Sequence, residues 1–202
     1  MTDATGSPDA ASAPAGGVSR LVIDPRASRF TVQAFASGVF SALGHDPTFT
    51  ARDYQGEVQC NPETGEGASL KMTVKAASLQ VSDDFSGKDR TTIMETMQNE
   101  VLESARFPDI VYDSPASATT VKKTGDGQFD VSLNGNLTLH GVTKSLPITA
   151  KVNSSAAMVR AYGEFQIRQT DYNIKLVSVA GGTLKVKDEL KCTFDMVARP
   201  QT

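Results

Sequence analysis

Alternating apolar and polar residues dominate the chain from residue 21 onward. In the run from Phe129 to Leu139, one face carries only Phe, Val, Leu and Gly, while the other carries Asp, Ser, Asn and Thr. A period of two with one apolar face indicates a β-strand with one buried side. About ten such runs occur, at 21–24, 29–36, 49–60, 68–76, 109–114, 119–123, 128–140, 144–153, 158–167 and 189–198. Short strands separated by Gly, Pro and Asp predict an antiparallel sandwich or barrel.

One segment, residues 89–108, follows a helical period instead. Its apolar residues form one stripe that predicts an amphipathic helix, and Pro108 is expected to end it. The stripe consists of Ile93, Met94, Met97, Val101, Leu102 and Ala105. A single helix in a β chain is typical of a cap at one end of a barrel. The two methionines offer adaptable surface to an apolar partner, with plain core packing as the alternative.

The chain has two histidines, and neither lies in a recognisable catalytic motif. His140 ends a long strand and precedes Gly141, which tolerates the positive φ of a tight turn. We therefore interpret His140 as a turn residue bonded to nearby backbone. His45 precedes Asp46, but neighbours on a strand point to opposite faces and Asp-Pro favours a turn. A polar role at a barrel mouth or a structural role is favoured over acid–base catalysis.

Composition narrows the class of protein. The chain has 202 residues, a net charge of -3 and a pI near 5.4. This length suits one domain, and weak acidity argues against nucleic-acid binding. No apolar run approaches the roughly 18 residues of a membrane span. Residues 1–18 are expected to be a disordered tail before a domain at 19–202.

The start of the chain has neither a basic region nor an apolar core of an export signal. The sequence therefore predicts a cytoplasmic location, with a periplasmic or secreted location as the alternative. Cys60 and Cys192 have no zinc-site spacing, so they are interpreted as buried free thiols, or else as a disulfide. Nucleotide-binding, hydrolase and metalloprotease motifs are absent from the sequence. We expect no enzyme activity, no metal and no cofactor.

The stretch "FDVSLNGNLTLHGVTKSLPITAKV" closely resembles the signature of the YceI-like family of polyisoprenoid-binding proteins. "VIDPRASRFTV", "KDR…FPDIVYDS" and "YGEFQIRQTDYNIKLV…GGTLKVKDELKCTF" resemble further family segments in the same order, so that the resemblance covers Leu21 to Arg199. It implies an eight-stranded antiparallel lipocalin-like barrel with one helical segment closing an end. It also implies an elongated apolar cavity for an isoprenoid lipid, such as a prenyl pyrophosphate or a quinone, and no enzymatic activity.

On this interpretation the partner is a small-molecule lipid, and the oligomeric state stays open, a homodimer included. The residues predicted to line the cavity are Phe30, Val32, Leu70, Met72, Val74, Met94, Met97, Leu137 and Phe165. The residues predicted to meet a polar headgroup at the mouth are His45, Arg90 and Arg168. The alternatives are a binder of a fatty acid or fatty amide, a lipid-modifying enzyme using His45 and Asp46, and a solidly packed barrel that serves as an interaction module.

Overall fold

The alternating runs fold into β-strands in the computed structural model, which describes residues 17–37, 46–179 and 184–200. The strands are β1 Ser19–Ile23, β2 Arg29–Gln33, β3 Ala36–Ser37, β4 Thr48–Ala51, β5 Tyr54–Cys60, β6 Ser69–Lys75, β7 Leu79–Val81, β8 Asp109–Ser114, β9 Thr119–Gly125, β10 Gln128–Leu139, β11 Val142–Ser154, β12 Val159–Arg168, β13 Ser178–Val179, β14 Leu184–Val186 and β15 Glu189–Pro200. One α-helix, α1 (Gly87–Thr96), continues into a π-helical turn at Met97–Val101. None of the helices in these ranges is both long and apolar enough to cross a membrane.

Eight strands close into a barrel. The order around the wall is β1, β5, β6, β8, β10, β11, β12 and β15, and β15 then pairs with β1 to complete the circle. Every pairing in the wall is antiparallel. The predicted eight-stranded antiparallel barrel is therefore confirmed. In addition, β9 pairs with β10, while β13, β14 and β3 form a separate small sheet.

Several wall strands are interrupted by a bend. β1 and β2 both pair with β15, one after the other, so β2 continues β1 beyond a bend. Ile23 of β1 pairs with Ala198, and Arg29 of β2 pairs with Asp195. β4 likewise continues β5, and β7 continues β6. The predicted single strand at 49–60 is thus two strands that meet at a bend. The chain remains hydrogen-bonded across these bends. At the bend between β4 and β5, the Asp53 carbonyl accepts a hydrogen bond from the Lys75 N–H at the end of β6, at 2.9 Å.

The helix differs from its prediction at both ends. It begins after Ser86, whose hydroxyl accepts a hydrogen bond from the Asp89 N–H at 3.2 Å, a common way to cap a helix. It ends at Val101 rather than near Pro108, after a π-turn in which the Leu102 N–H donates to the Met97 carbonyl at 2.9 Å. A π-turn adds one residue to a helical turn and so shifts the phase of every later side chain.

The helix lies against the free edge of β7. Three side chains at four-residue spacing, which share one helix face, form hydrogen bonds with the backbone at this edge. The Arg90 guanidinium donates to the Val81 carbonyl at 2.8 Å, the Val81 N–H donates to the Met94 sulfur at 3.4 Å, and the Gln98 amide donates to the Leu79 carbonyl at 3.4 Å. An unpaired strand edge is thereby covered. This explains why the helix closes the barrel beside β7, where the wall lacks a neighbouring strand.

The predicted tail at 1–18 lies outside the described residues except for residues 17 and 18, and β1 begins at Ser19. His45 also lies outside them.

Candidate functional site

The barrel encloses an elongated cavity of about 230 Å³. All eight wall strands contribute to its lining, together with β2, β9 and the end of the π-turn. On β10 the lining residues run from Phe129 to Leu139. Strands rise about 3.4 Å per residue and tilt by about 40° from the barrel axis, so this run corresponds to about 25 Å along that axis. The interior is therefore hollow over most of the barrel, and the solidly packed alternative does not describe it.

The lining is almost wholly apolar. Besides cysteines and Tyr112, its polar side chains are those of Asn61, Ser154 and Gln169, because the Ser69 side chain lies on the face of β6 opposite to that of Leu70. Within the part of the chain that the structure describes, it includes no Asp, Glu, Lys, Arg or His. The described lining therefore carries no formal charge at neutral pH.

Seven of the nine residues predicted to line the cavity are on its wall: Phe30, Val32, Leu70, Met72, Val74, Leu137 and Phe165. Their side chains occupy alternate positions on β2, β6, β10 and β12. Successive side chains on a strand point to opposite faces, so the period-two pattern was sufficient to choose the inward face.

Met94 and Met97 are not among the residues that line the cavity in this structure. Met94 bonds the edge of β7 as described above, and Met97, the first residue of the π-turn, is buried in the core. Val101 and Leu102 line the cavity from the helical segment instead. The prediction assumed one unbroken helix, and the π-turn changed which residues face inward.

Of the three residues predicted at a polar mouth, the structure describes Arg90 and Arg168, while His45 lies outside the described residues. Arg90 donates to the carbonyl oxygens of Val81 and Asp83, both at 2.8 Å. It therefore attaches the helix to the backbone at the end of β7. Arg168 is exposed at the end of β12 and does not line the cavity. Hydrogen bonding from Thr170 holds the pKa of Asp188 below its ordinary value, and the charge of Arg168 adds to this.

One end of the barrel, called here the loop end, is covered by residues 61–68. The Asn61 side-chain carbonyl accepts hydrogen bonds from the N–H groups of Glu63 at 2.9 Å and Thr64 at 3.1 Å. The Ser154 hydroxyl, at the end of β11, donates to the Pro62 carbonyl at 2.8 Å. The sequence analysis assigned no role to this segment. Its link to Ser154, 92 residues from Pro62, has no local signal.

The opposite end, called the hairpin end, is formed by the turn between β10 and β11. His140 and Gly141 have φ angles of 51° and 74°, as a type I′ turn requires, and the predicted tight turn is confirmed. The His140 Nδ1 lies 3.2 Å from the Tyr172 carbonyl oxygen, and its ring packs on Phe107 at a centroid distance of 4.4 Å. This histidine joins the hairpin to the segment after β12 and is not on the cavity wall.

Both cysteines are free, buried and part of the lining. Burial raises the pKa of Cys192 to about 12 and raises the pKa of Cys60 above its ordinary value. Because only the thiolate is a good nucleophile, these thiols act as small apolar groups at neutral pH.

Tyr112, on β8, holds the cavity wall together at its middle. Its hydroxyl accepts from the Gly135 N–H at 3.1 Å and lies 3.1 Å and 3.0 Å from the carbonyl oxygens of Leu133 and Leu146. Burial raises the pKa of Tyr112, so the hydroxyl remains a neutral donor. One side chain thus satisfies backbone groups of both β10 and β11.

We expect Tyr112→Phe to lower the free energy of unfolding by about 1–3 kcal/mol, because it leaves buried backbone groups without a partner. Tyr162→Phe is the matched control, since Tyr162 is 44% exposed. Urea unfolding of both variants measures the difference. Equal stability of the two variants would show that the Tyr112 hydroxyl is not needed.

A closed antiparallel barrel of eight strands around an apolar cavity is the architecture of lipocalin-like proteins. The model of the YceI-like domain matches residues 21–198, and the chain therefore belongs to the YceI-like family. Curated relatives include UPF0312 proteins from Azotobacter vinelandii, 31% identical over 119 residues, and Pseudomonas fluorescens, 31% identical over 121 residues. Each match covers 58% of this chain and 56% of the relative, so little more than half of each relative's length is matched.

Solved structures have the same fold. BcnA from Burkholderia cenocepacia aligns with a TM-score of 0.64 at 15% identity, over 87% of this chain and 98% of BcnA. A polyisoprenoid-binding domain from Saccharophagus degradans, implicated in plant cell wall breakdown, aligns with a TM-score of 0.61 at 15% identity, over 92% of this chain and all of that domain. The YceI protein of Campylobacter jejuni aligns with a TM-score of 0.54 at 16% identity, over 75% and 84%.

Proposed function

We propose that the protein binds one long isoprenoid lipid in the barrel cavity and carries or sequesters it without changing it chemically. The observation that carries this proposal is the cavity itself, which is long and enclosed and has almost no polar lining. Apolar pockets of this kind bind ligands by removing hydrocarbon from water.

The energetics suit a branched hydrocarbon chain. Burying one CH₂ group is worth about 0.8 kcal/mol, so each five-carbon isoprene unit offers roughly 3–4 kcal/mol before costs. Ordering a flexible chain consumes part of this gain. Small lining residues such as Ala150 and Ala161 leave space beside larger ones such as Phe165, which suits methyl branches.

Family membership also supports an isoprenoid, because the similar Saccharophagus degradans domain is described as polyisoprenoid-binding. A fatty acid fits less well, since its carboxylate would find no cation among the described lining residues. A fatty amide has no such difficulty, and the mass of the bound ligand distinguishes it from an isoprenoid.

A purely binding role is favoured over catalysis on the bound lipid. Among the described lining residues, the only nucleophilic groups besides hydroxyls are the two thiols, which burial keeps protonated. The described lining offers no histidine or carboxylate that would activate them.

Native mass spectrometry of protein purified without detergent tests the proposal. We expect a bound species whose mass, after extraction, matches an isoprenoid lipid, and uptake of added prenyl lipid by any ligand-free fraction. A protein that carries no lipid and takes up no prenyl lipid would contradict the proposal.

A further inference from the structure

We propose that the lipid enters and leaves the barrel sideways, through a seam between β11 and β12, and not through either end. The seam is the part of the wall in which residues 143–150 of β11 face residues 163–168 of β12. This inference rests on the proposed function, because it describes the route to the same cavity. It identifies the part of the wall that moves during lipid exchange.

β11 and β12 are paired along only part of their length. Their pairing begins at Ser154 and Val159 and stops at Lys151 and Tyr162. The outer edges of both strands stay paired beyond this point, β11 with β10 and β12 with β15. The structure describes every residue of the seam, and the two strands do not pair across it. The barrel wall is therefore interrupted along about half the length of β12.

Pro147 lies at the unpaired edge of β11. The turn between β10 and β11 has two residues, so the adjacent pair, Leu139 and Val142, is hydrogen-bonded and every second pair after it is too. Pro147 and Asn134 are then a pair without hydrogen bonds, and the Pro147 nitrogen faces β12. Proline has no N–H to donate and is found in sheets mainly at edges. The sequence of β11 thus suits an edge without a neighbour at the seam.

Apolar residues that line the cavity lie directly inside the seam. Leu146 of β11 and Ile167 of β12 are among them. The ring of Phe165, also on β12, has its centroid 6.3 Å from those of Phe30 and Phe194. These two rings belong to β2 and β15, on the side of β12 away from β11. Phe165 therefore packs away from the seam and does not cover it.

At the hairpin end, two contacts bridge the seam, and together they are called here the latch. The Lys144 ammonium, on β11, donates to the Asp171 carboxylate, in the segment after β12, at 2.9 Å. Both side chains are about half exposed, and such ion pairs are weak and screened by salt. The second contact is the one between His140 and the Tyr172 carbonyl oxygen. The latch can open without disrupting the pairing of any strand.

Other routes require more hydrogen bonds to break. Exit through the loop end would displace residues 61–68, which the Asn61 and Ser154 side chains hold in place. Exit between β10 and β11 would break a ladder that is continuous from Val142 to Asn153. Opening the seam breaks no backbone ladder, because none is formed there. The seam is therefore the part of the wall that opens with the smallest loss of hydrogen bonds.

A covalent link across the seam tests the route. Pro147→Cys combined with Gln166→Cys places two thiols on the outer face, at positions that would be opposite if the pairing of Lys151 with Tyr162 continued along the strands. A short bis-maleimide joins the two thiols across the gap. The two native thiols are buried and protonated, so they do not compete for the reagent.

The matched control is Ser132→Cys combined with Thr149→Cys, which are opposite each other on the outer face of the fully paired strands β10 and β11. Each protein is loaded with radiolabelled geranylgeraniol and mixed with excess phosphatidylcholine vesicles. We expect the seam link to slow transfer of the lipid to the vesicles at least about tenfold, and to leave its equilibrium distribution unchanged within about twofold. The control link should change neither quantity.

Transfer at an unchanged rate after complete linking of the seam would overturn the inference and leave the proposed function intact, because the lipid would then pass through an end. Equal slowing by the seam link and the control link would also overturn it, since general stiffening of the barrel would explain both. Failure of the unlinked protein to take up any prenyl lipid would overturn the proposed function instead.

The variant Lys144→Gln tests the latch without a cross-link. We expect transfer at low ionic strength to become about two- to fivefold faster, as for the loss of one weak ion pair, with an unchanged equilibrium distribution. Salt should accelerate transfer from the native protein and not from the variant. Lys75→Gln is the control, because it removes an equally exposed ion pair, with Asp109, from paired strands. Equal rates for all three proteins would show that Lys144 does not hold the seam closed.

Discussion

Gly135→Ala is expected to lower the free energy of unfolding by about 3 kcal/mol, because β10 has no room for a side chain at this position. An added Cβ would lie 2.5 Å from the Asp113 carbonyl oxygen and 2.8 Å from both the Ser114 Cβ and the Tyr112 ring. The first of these is backbone of the neighbouring strand β8, which cannot move without breaking its pairing. The Tyr112 hydroxyl would also lose its bond from the Gly135 N–H.

Gly87→Ala is the matched control for this substitution. Gly87 begins α1, and an added Cβ would meet nothing within 4 Å. Because alanine favours a helix by up to about 1 kcal/mol over glycine, we expect this variant to be as stable as the native protein or more so. Urea unfolding of both variants gives the comparison. A Gly135→Ala protein as stable as Gly87→Ala would show that β8 and β10 do not approach as closely as the structure has them.

The barrel was predictable from sequence because its main signal is local. Each wall strand has one face toward the cavity, so residues such as Leu70, Met72 and Val74 alternate with polar neighbours along a single run. The turn at His140 and Gly141 was also predictable, since it depends on two adjacent residues. The resemblance to the YceI-like family then gave the strand number, which alternation alone left open.

The phase of the helical segment was not predictable in the same way. Apolar spacing identified a helix, but the π-turn at Met97–Val101 changed which side chains face the barrel. The use of Arg90 and Met94 to cover the edge of β7 depends on β7 lacking a partner there. Whether β7 has a partner depends on the pairing of strands that are distant in sequence, and this pairing cannot be predicted from the helix sequence.

The polar groups of the cavity were missed for a related reason. Asn61 begins a loop that looks like an ordinary turn, and Ser154 reaches the same loop from the end of β11. Each residue is unremarkable in its own segment. Only closure of the barrel brings their side chains to one end of the cavity, so a site of this kind has to be found in three dimensions.

Ala150→Phe is expected to abolish lipid binding while the barrel still folds. Ala150 is on β11, is 8% exposed and faces the cavity, so a phenyl ring there would occupy space that the lipid needs. Surrounding side chains are packed at high density and cannot withdraw to restore the space. We expect affinity for a prenyl lipid to fall roughly 100-fold, equivalent to about 2.7 kcal/mol. Displacement of a fluorescent apolar probe measures this loss.

The control for this variant is Thr149→Phe, which adds the same ring one residue earlier, where the side chain is exposed on the outer face of β11. Adjacent strand residues point to opposite faces, so the control tests the ring itself without filling the cavity. Circular dichroism and thermal unfolding establish that both proteins fold. Should Ala150→Phe fold and still bind prenyl lipid as tightly as Thr149→Phe, the lipid cannot occupy the middle of the barrel. This result would contradict the proposed function, which places the lipid inside the cavity.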